Sequence, residues 1–149
     1  DDEKLEFAKG VGAQVVINAS KMKDIPQAVK NATGFGAHVS IDALGSQETC
    51  FNSVACLRKR GKHIQVGLMT GNHRHPKVPM DQVVANELEI IGSHGMQAFR
   101  YDEMFAMIRS GKLKPQQLAG KTISISEAPQ ALMNMDKFEN IGVTVINEF

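Results

Sequence analysis

Residues 38–68 read HVSIDALGSQETCFNSVACLRKRGKHIQVGL, and this stretch decides the fold. Two short β-branched runs, 38–42 and 62–66, flank a segment in which Phe51, Val54 and Leu57 recur at helical spacing. Strands that alternate with helix-period segments build βαβ units around a parallel sheet, since a parallel neighbour can be reached only by a crossover. Ser46 is placed to cap the intervening helix. The helix is expected to end in the basic run Arg58-Lys59-Arg60 before Gly61, where cations complement its dipole.

The same grammar extends on both sides. Upstream, a strand is expected at 14–17 and a helix at 24–33, with Asp24 as cap, Pro26 in the first turn and Gly34 as the stop. Ile25, Ala28, Val29 and Ala32 give that helix its apolar stripe. Downstream, 88–92 reads as a further strand and 101–110 as a helix stopping at Gly111. Residues 67–79, polar and carrying Gly71, Pro76 and Pro79, read as a long loop within the domain. From Leu113 the grammar changes to a short strand at 122–125, a helix opened by Ser126-Glu127-Ala128-Pro129, and a strand at 143–146. The chain therefore divides into 1–112, the βαβ series, and a 113–149 tail.

A chain of 149 residues, 42% hydrophobic and 22% charged, suffices for one domain with a core. Seventeen lysines and arginines against 16 acids leave a formal charge of +1, so no broad field would draw nucleic acid or an anionic membrane. The apolar runs fall short of a membrane span, and no leader-like segment is seen, which makes a cytoplasmic protein the expectation. Cys50 and Cys56, six residues apart in the expected helix, point about 240° from one another and are read as reduced packing residues. The first residue is Asp1, and a helix capped by Asp1 or Asp2 begins at once, an opening that suggests a trimmed or partial chain.

In an open parallel sheet a ligand binds outside the carboxyl ends of the strands, where loops present helix N-termini and free amides. That rule selects Ala43-Leu44-Gly45-Ser46, Gly67-Leu68-Met69 and Ser93-His94-Gly95, whose small residues permit close approach to the backbone. The phosphate-binding fingerprint G-x-G-x-x-G is absent. Thr33-Gly34-Phe35-Gly36 follows a helix and is read as a turn.

Several residues have two readings. His73 and His75 are a metal-ligand pair or, lacking a third ligand nearby, part of a solvated loop. His94 lines a cofactor pocket or is a structural loop histidine. Asp42 could hold a ribose, but no fingerprint precedes its strand. Tyr101 and Lys112 belong to no acid-base motif. No residue is assigned to catalysis or to metal binding.

These segments together resemble the medium-chain dehydrogenases of the zinc-dependent alcohol dehydrogenase type. The likeness is carried by Leu5-Glu6-Phe7-Ala8-Lys9-Gly10-Val11-Gly12-Ala13 into Val16-Ile17-Asn18, then Val39-Ser40-Ile41-Asp42-Ala43-Leu44-Gly45 and Leu57-Arg58-Lys59-Arg60-Gly61-Lys62-His63-Ile64-Gln65-Val66-Gly67-Leu68. Glu87-Leu88-Glu89-Ile90-Ile91-Gly92-Ser93, Ser110-Gly111-Lys112-Leu113, Glu127-Ala128-Pro129-Gln130-Ala131-Leu132 and Gly142-Val143-Thr144-Val145-Ile146 continue it in the family's order.

The resemblance implies an incomplete doubly wound, Rossmann-type α/β sheet whose strands are the family's third to sixth, with a short strand-helix-strand tail returning to the catalytic domain. It implies the cofactor-binding part of an NAD(P)-dependent alcohol dehydrogenase, inactive alone, acting in the parent on an alcohol or carbonyl compound. Ala43, Leu44 and Gly45 would flank the adenosine, Val66, Gly67 and Leu68 the nicotinamide carboxamide, and Gly92, Ser93 and His94 the nicotinamide end. Leu88 to Gly92 would form the edge of a homo-oligomer. The family's zinc ligands precede the region matched, so zinc belongs to a domain absent from this sequence. The family's first two strands are also missing, which would open a gap of roughly three strand spacings, on the order of 14 Å, between third and fourth. The alternative is a noncatalytic dinucleotide-binding or self-associating module.

Overall fold

The computed structural model describes residues 1–137 and 140–149. Among these, the helices are α1 (Asp2–Gly10), α2 (Ile25–Thr33), α3 (Gln47–Ala55), α4 (Met80–Ala85), α5 (Tyr101–Arg109) and α6 (Ala128–Met133). The strands are β1 (Ala37–Asp42), β2 (Leu57–Gln65), β3 (Glu89–Gly92), β4 (Ala119–Ser124) and β5 (Val143–Glu148). The chain forms two compact units, one of Asp1 with 15–95 and one of 2–14 with 96–149.

The first unit is a parallel sheet in the order β1-β2-β3, wound by α3 and α4 as crossovers. This is the parallel α/β architecture expected from the alternation of strands and helices. The helix starts follow the capping residues. Asp24 accepts the Gln27 amide at 2.9 Å with Pro26 in the first turn, and Gly34 ends α2 at φ 82°. Ser46 and Thr49 cap α3 reciprocally, the Thr49 amide donating to Ser46 Oγ at 3.0 Å and the Ser46 amide to Thr49 Oγ1 at 3.2 Å. The core under α3 consists of Cys50, Val54, Ala55, Cys56 and Leu57, all buried. Both cysteines are free thiols.

The basic run is placed differently from expectation. α3 stops at Ala55, and Arg58, Lys59 and Arg60 belong to β2. The Ala37 amide donates to the carbonyl of Cys56 at 3.0 Å, which draws Leu57 into the ladder opposite Ala37 before the basic residues are reached. Register then jumps from Ala37–Leu57 to Val39–Lys62, so 58–61 bulge out, with Arg60 at φ 59° and its amide bonded to Asn86 O at 2.7 Å. The dipole explanation for this run does not hold.

Residues 14–17 are not a strand. β-structure is defined by its ladder, and among the described residues no strand pairs with this segment. The long polar stretch holds a 3-10 turn at Gly71–His73, and α4 follows it. That short helix has the spacing Met80, Val83, Val84 in the sequence, but no polar side chain caps it to mark its start.

In the second unit β4 and β5 pair in parallel, with α6 between them in the chain. The strand expected at 122–125 begins earlier, at Ala119, and the capping pair ahead of α6 is Ser124 with Glu127. The Ser124 amide donates to Glu127 Oε2 at 3.0 Å, and these bonds hold that carboxyl below its ordinary value. On α5, Tyr101 and Phe105 stack one turn apart with ring centroids 6.0 Å apart, so Tyr101 has a packing role.

Candidate functional site

The strands of the first unit are in register at their carboxyl ends, with Asp42 opposite Gln65 and Gln65 opposite Gly92. The three loops selected from the sequence therefore leave the sheet at one level. Ala43, Leu44, Val66 and Leu68 are exposed there, Gly67 is half-buried and Gly45 is buried. Gly92, Ser93 and His94 continue the row, all exposed.

The first two loops touch backbone to backbone. A Cβ on Gly67 would fall 2.5 Å from the carbonyl carbon of Leu44, and a Cβ on Gly45 would fall 2.8 Å from that of Gly67. Gly45 also needs its positive φ of 84° to make the turn into α3. The glycines are therefore required by contact between loops.

Asp42 organises this end of the sheet. Its side chain is almost wholly buried, and Oδ1 accepts from the amides of Leu44 (2.9 Å) and Gly45 (3.0 Å) and from Thr49 Oγ1 (3.0 Å). Its Oδ2 accepts from Gln65 Nε2 at 2.9 Å. Its main-chain oxygen accepts the amides of Val66 (2.9 Å) and Gly67 (2.8 Å). Burial alone would raise the carboxyl pKa; the donors outweigh it, Gly45 foremost and then Gln65, Leu44 and Thr49, so the group is held below its ordinary value. Asp42 is thus a buried carboxylate whose bonds are directed at its own loop and at Gln65.

The amide of Gln65 is oriented by that carboxylate. Since Nε2 must donate to Asp42, Oε1 faces His63, whose Nε2 donates to it over 3.1 Å. His63 Nδ1 lies 2.9 Å from Ser53 Oγ and 3.4 Å from Ser40 Oγ. His63, at 1% exposure, is a buried polar link between α3 and the sheet. None of this network beyond Asp42 was singled out in the sequence. Its signal is the polar pairs Ser40/Asp42 and His63/Gln65, two residues apart in each strand and so on one face.

Other candidates fall elsewhere. His73 Nδ1 accepts the Gln47 amide at 3.2 Å and Gln47 Nε2 donates to Asn72 O at 2.6 Å, which seats the loop on the start of α3. His75 is exposed. Among the described residues no three His, Cys, Asp or Glu side chains are grouped to hold a metal ion, and no helix is long and apolar enough to cross a membrane.

Residues 1–110 match the family model described as zinc-binding dehydrogenase. The chain is 31% identical over 145 residues to an NAD-dependent alcohol dehydrogenase of Sulfurisphaera tokodaii, which covers 97% of this chain and 40% of that protein. It is 25% identical over 146 residues to a sorbitol dehydrogenase of Halalkalibacterium halodurans, covering 96% and 41%. Among solved structures, benzyl alcohol dehydrogenase from Acinetobacter calcoaceticus superposes over the whole chain and 41% of its own, with a TM-score of 0.84 at 26% identity. The chain spans about two fifths of the length of these relatives. A family pattern that runs through the whole parallel sheet, on a backbone these enzymes share, makes the chain a member of the zinc-binding dehydrogenases.

Proposed function

We propose that this chain is the cofactor-binding part of an NAD(P)-dependent, zinc-type alcohol dehydrogenase that oxidises an alcohol or reduces the matching carbonyl compound. The observation that carries the reading is the row of three loops at the carboxyl ends of β1, β2 and β3, in a chain of this family. Residues 1–112 form the partial dinucleotide-binding domain, and 113–149 are the tail that returns to a catalytic domain outside these 149 residues. The zinc and its ligands belong to that domain, and the chain alone is inactive.

The exposed backbone and apolar side chains of the loops fit a flat aromatic ligand better than a phosphate. Leu44 and Leu68 offer apolar surface, and the small residues Ala43, Gly45, Gly67, Gly92 and Ser93 leave room for a ligand to lie close to the loops. Ala43, Leu44 and Gly45 would hold the adenosine, Val66, Gly67 and Leu68 the carboxamide, and Gly92, Ser93 and His94 the nicotinamide end. The cofactor, when bound, supplies hydride transfer, and the part of these residues is binding and orientation. The names of the relatives favour NAD over NADP.

The reading includes a cytoplasmic site of action, in keeping with two free thiols, and self-association through Leu88 to Gly92, where Ile90 and Ile91 are exposed on the strand. Titration of the chain with NADH and with NADPH, followed by nicotinamide fluorescence, tests the core of it. Saturable binding of either nucleotide supports the reading, and no binding of both overturns it.

A further inference from the structure

We infer that Gln65 is a positioning residue whose side chain ties the loops after β1 and β2 into one unit, and so sets how firmly they hold a ligand. The ligand half of this inference rests on the function proposed above; the tie between loops does not.

The Gln65 side chain reaches the first two loops by separate bonds, and its main chain reaches the third as any residue there would. Its Nε2 donates to Asp42 Oδ2 at 2.9 Å, and Asp42 in turn holds the amides of Leu44 and Gly45. The same Nε2 donates to Gly67 O at 2.9 Å, within the second loop. The main-chain oxygen of Gln65 accepts the Ser93 amide at 2.9 Å, at the root of the third. Oε1 accepts from His63 Nε2 at 3.1 Å, which locks the amide against a flip. Both hydrogens of Nε2 and the oxygen are therefore in use, and the site demands a double donor on one side and an acceptor on the other. Glutamate lacks the donors, and methionine or leucine lacks both. A half-buried amide carries a desolvation cost that its bonds must offset. Here they immobilise segments that carry no packing side chains of their own, since Gly45 and Gly67 have none.

The test reverses the polarity of the Asp42–Gln65 bond. Gln65→Glu sets two carboxylates face to face, and Asp42→Asn sets two amide groups donor to donor. Together the two substitutions restore one donor and one acceptor with the net charge unchanged. Native-state hydrogen exchange at the Leu44 and Gly45 amides and an NADH titration are the readouts. Each single substitution should speed exchange at both amides at least about tenfold, the effect of losing one charge-assisted bond, and weaken NADH to a similar degree. The double variant should recover part of both, since the bond between positions 42 and 65 is restored while the Gly67 carbonyl still lacks its donor. Gln65→Met, close in shape and uncharged, guards against simple unfolding. It should keep the circular dichroism of the parent and melt in one cooperative step, yet share the fast exchange.

Parent-like exchange in Gln65→Met, or a double variant no better than the sum of its singles in exchange and in melting temperature, overturns the tie. Should the exchange pattern appear as expected while the parent chain takes no NADH, the tie stands and the proposed function falls.

Discussion

The amide nitrogen of Gly45 lies too near the place of any Cβ on Gly67 to admit one, so the loops after β1 and β2 meet as bare backbone. An added methyl cannot be absorbed by a rotating side chain, because the atoms it meets are all main chain. Gly67→Ala should therefore cost about 2–3 kcal/mol of stability in urea unfolding, the range of overpacking a tight contact. Gly45→Ala should cost about 1 kcal/mol more, since φ is 84° there. A loss under about 0.5 kcal/mol at Gly67 would show that the loops part easily.

Acid should act through Asp42. Its folded carboxyl lies below the ordinary value, so its bonds stabilise the chain fully at neutral pH, above the unfolded value of about 3.9. That contribution is lost as pH falls from there through the folded pKa, when the proton displaces the donors from Leu44, Gly45, Thr49 and Gln65. Melting temperature measured from pH 7 to pH 2.5 should drop for the parent chain and show a flatter profile for Asp42→Asn in the acid limb. Parallel profiles would remove Asp42 from the acid response.

The two thiols should be slow to react. Burial raises the pKa of both Cys50 and Cys56, with the Asp42 carboxylate adding to the effect at Cys50. Labelling with a disulfide reagent at pH 8 should be at least about a hundredfold slower in the native chain than in urea, tracking the opening of the core. Because the folded thiols resist ionisation, the stability they lend is whole below about pH 8.5 and declines as pH rises past it. Rapid native labelling of either thiol would contradict its buried placement.

The core and the far face of the sheet should respond oppositely to substitution. Val54, on the buried face of α3, is wholly buried, so Val54→Ala should cost about 2 kcal/mol. Ile41 is 63% exposed, so Ile41→Thr should stay within about 0.5 kcal/mol of the parent while raising the concentration at which the chain remains clear. Equal losses at the two positions would mean that the exposed face is covered in solution.

Local chemistry was legible in the sequence where it acts within a few residues. Asp24 with Pro26 and Gly34, and Ser46 at the head of α3, mark their helices because a cap is made by neighbours in the chain. The end of α3 was not legible, since the bond that ends it runs from Ala37 to Cys56, across 19 residues. Residues 14–17 have the composition of a strand, but a ladder partner is not a property of composition. Of the candidate site, the placement of the three loops at the strand ends was legible from topology alone, and Asp42 was noticed for a ribose, whereas its bonds run to its own loop and to Gln65. Gln65 and His63 looked like ordinary strand residues because their meaning lies in Asp42 and Ser53, which approach only on folding.

Ile41, Ile64 and Ile91 stand in one transverse row, each opposite the next in the ladder, on the face turned away from His63 and Gln65. Ile41 and Ile91 are open to water, and Ile64 is half so. Water gains by withdrawing from such a ridge whatever covers it, so association through this face would strengthen with concentration and with warming. Because that withdrawal is entropically driven, turbidity in a moderately concentrated solution should rise on warming well below the melting point and clear again on cooling.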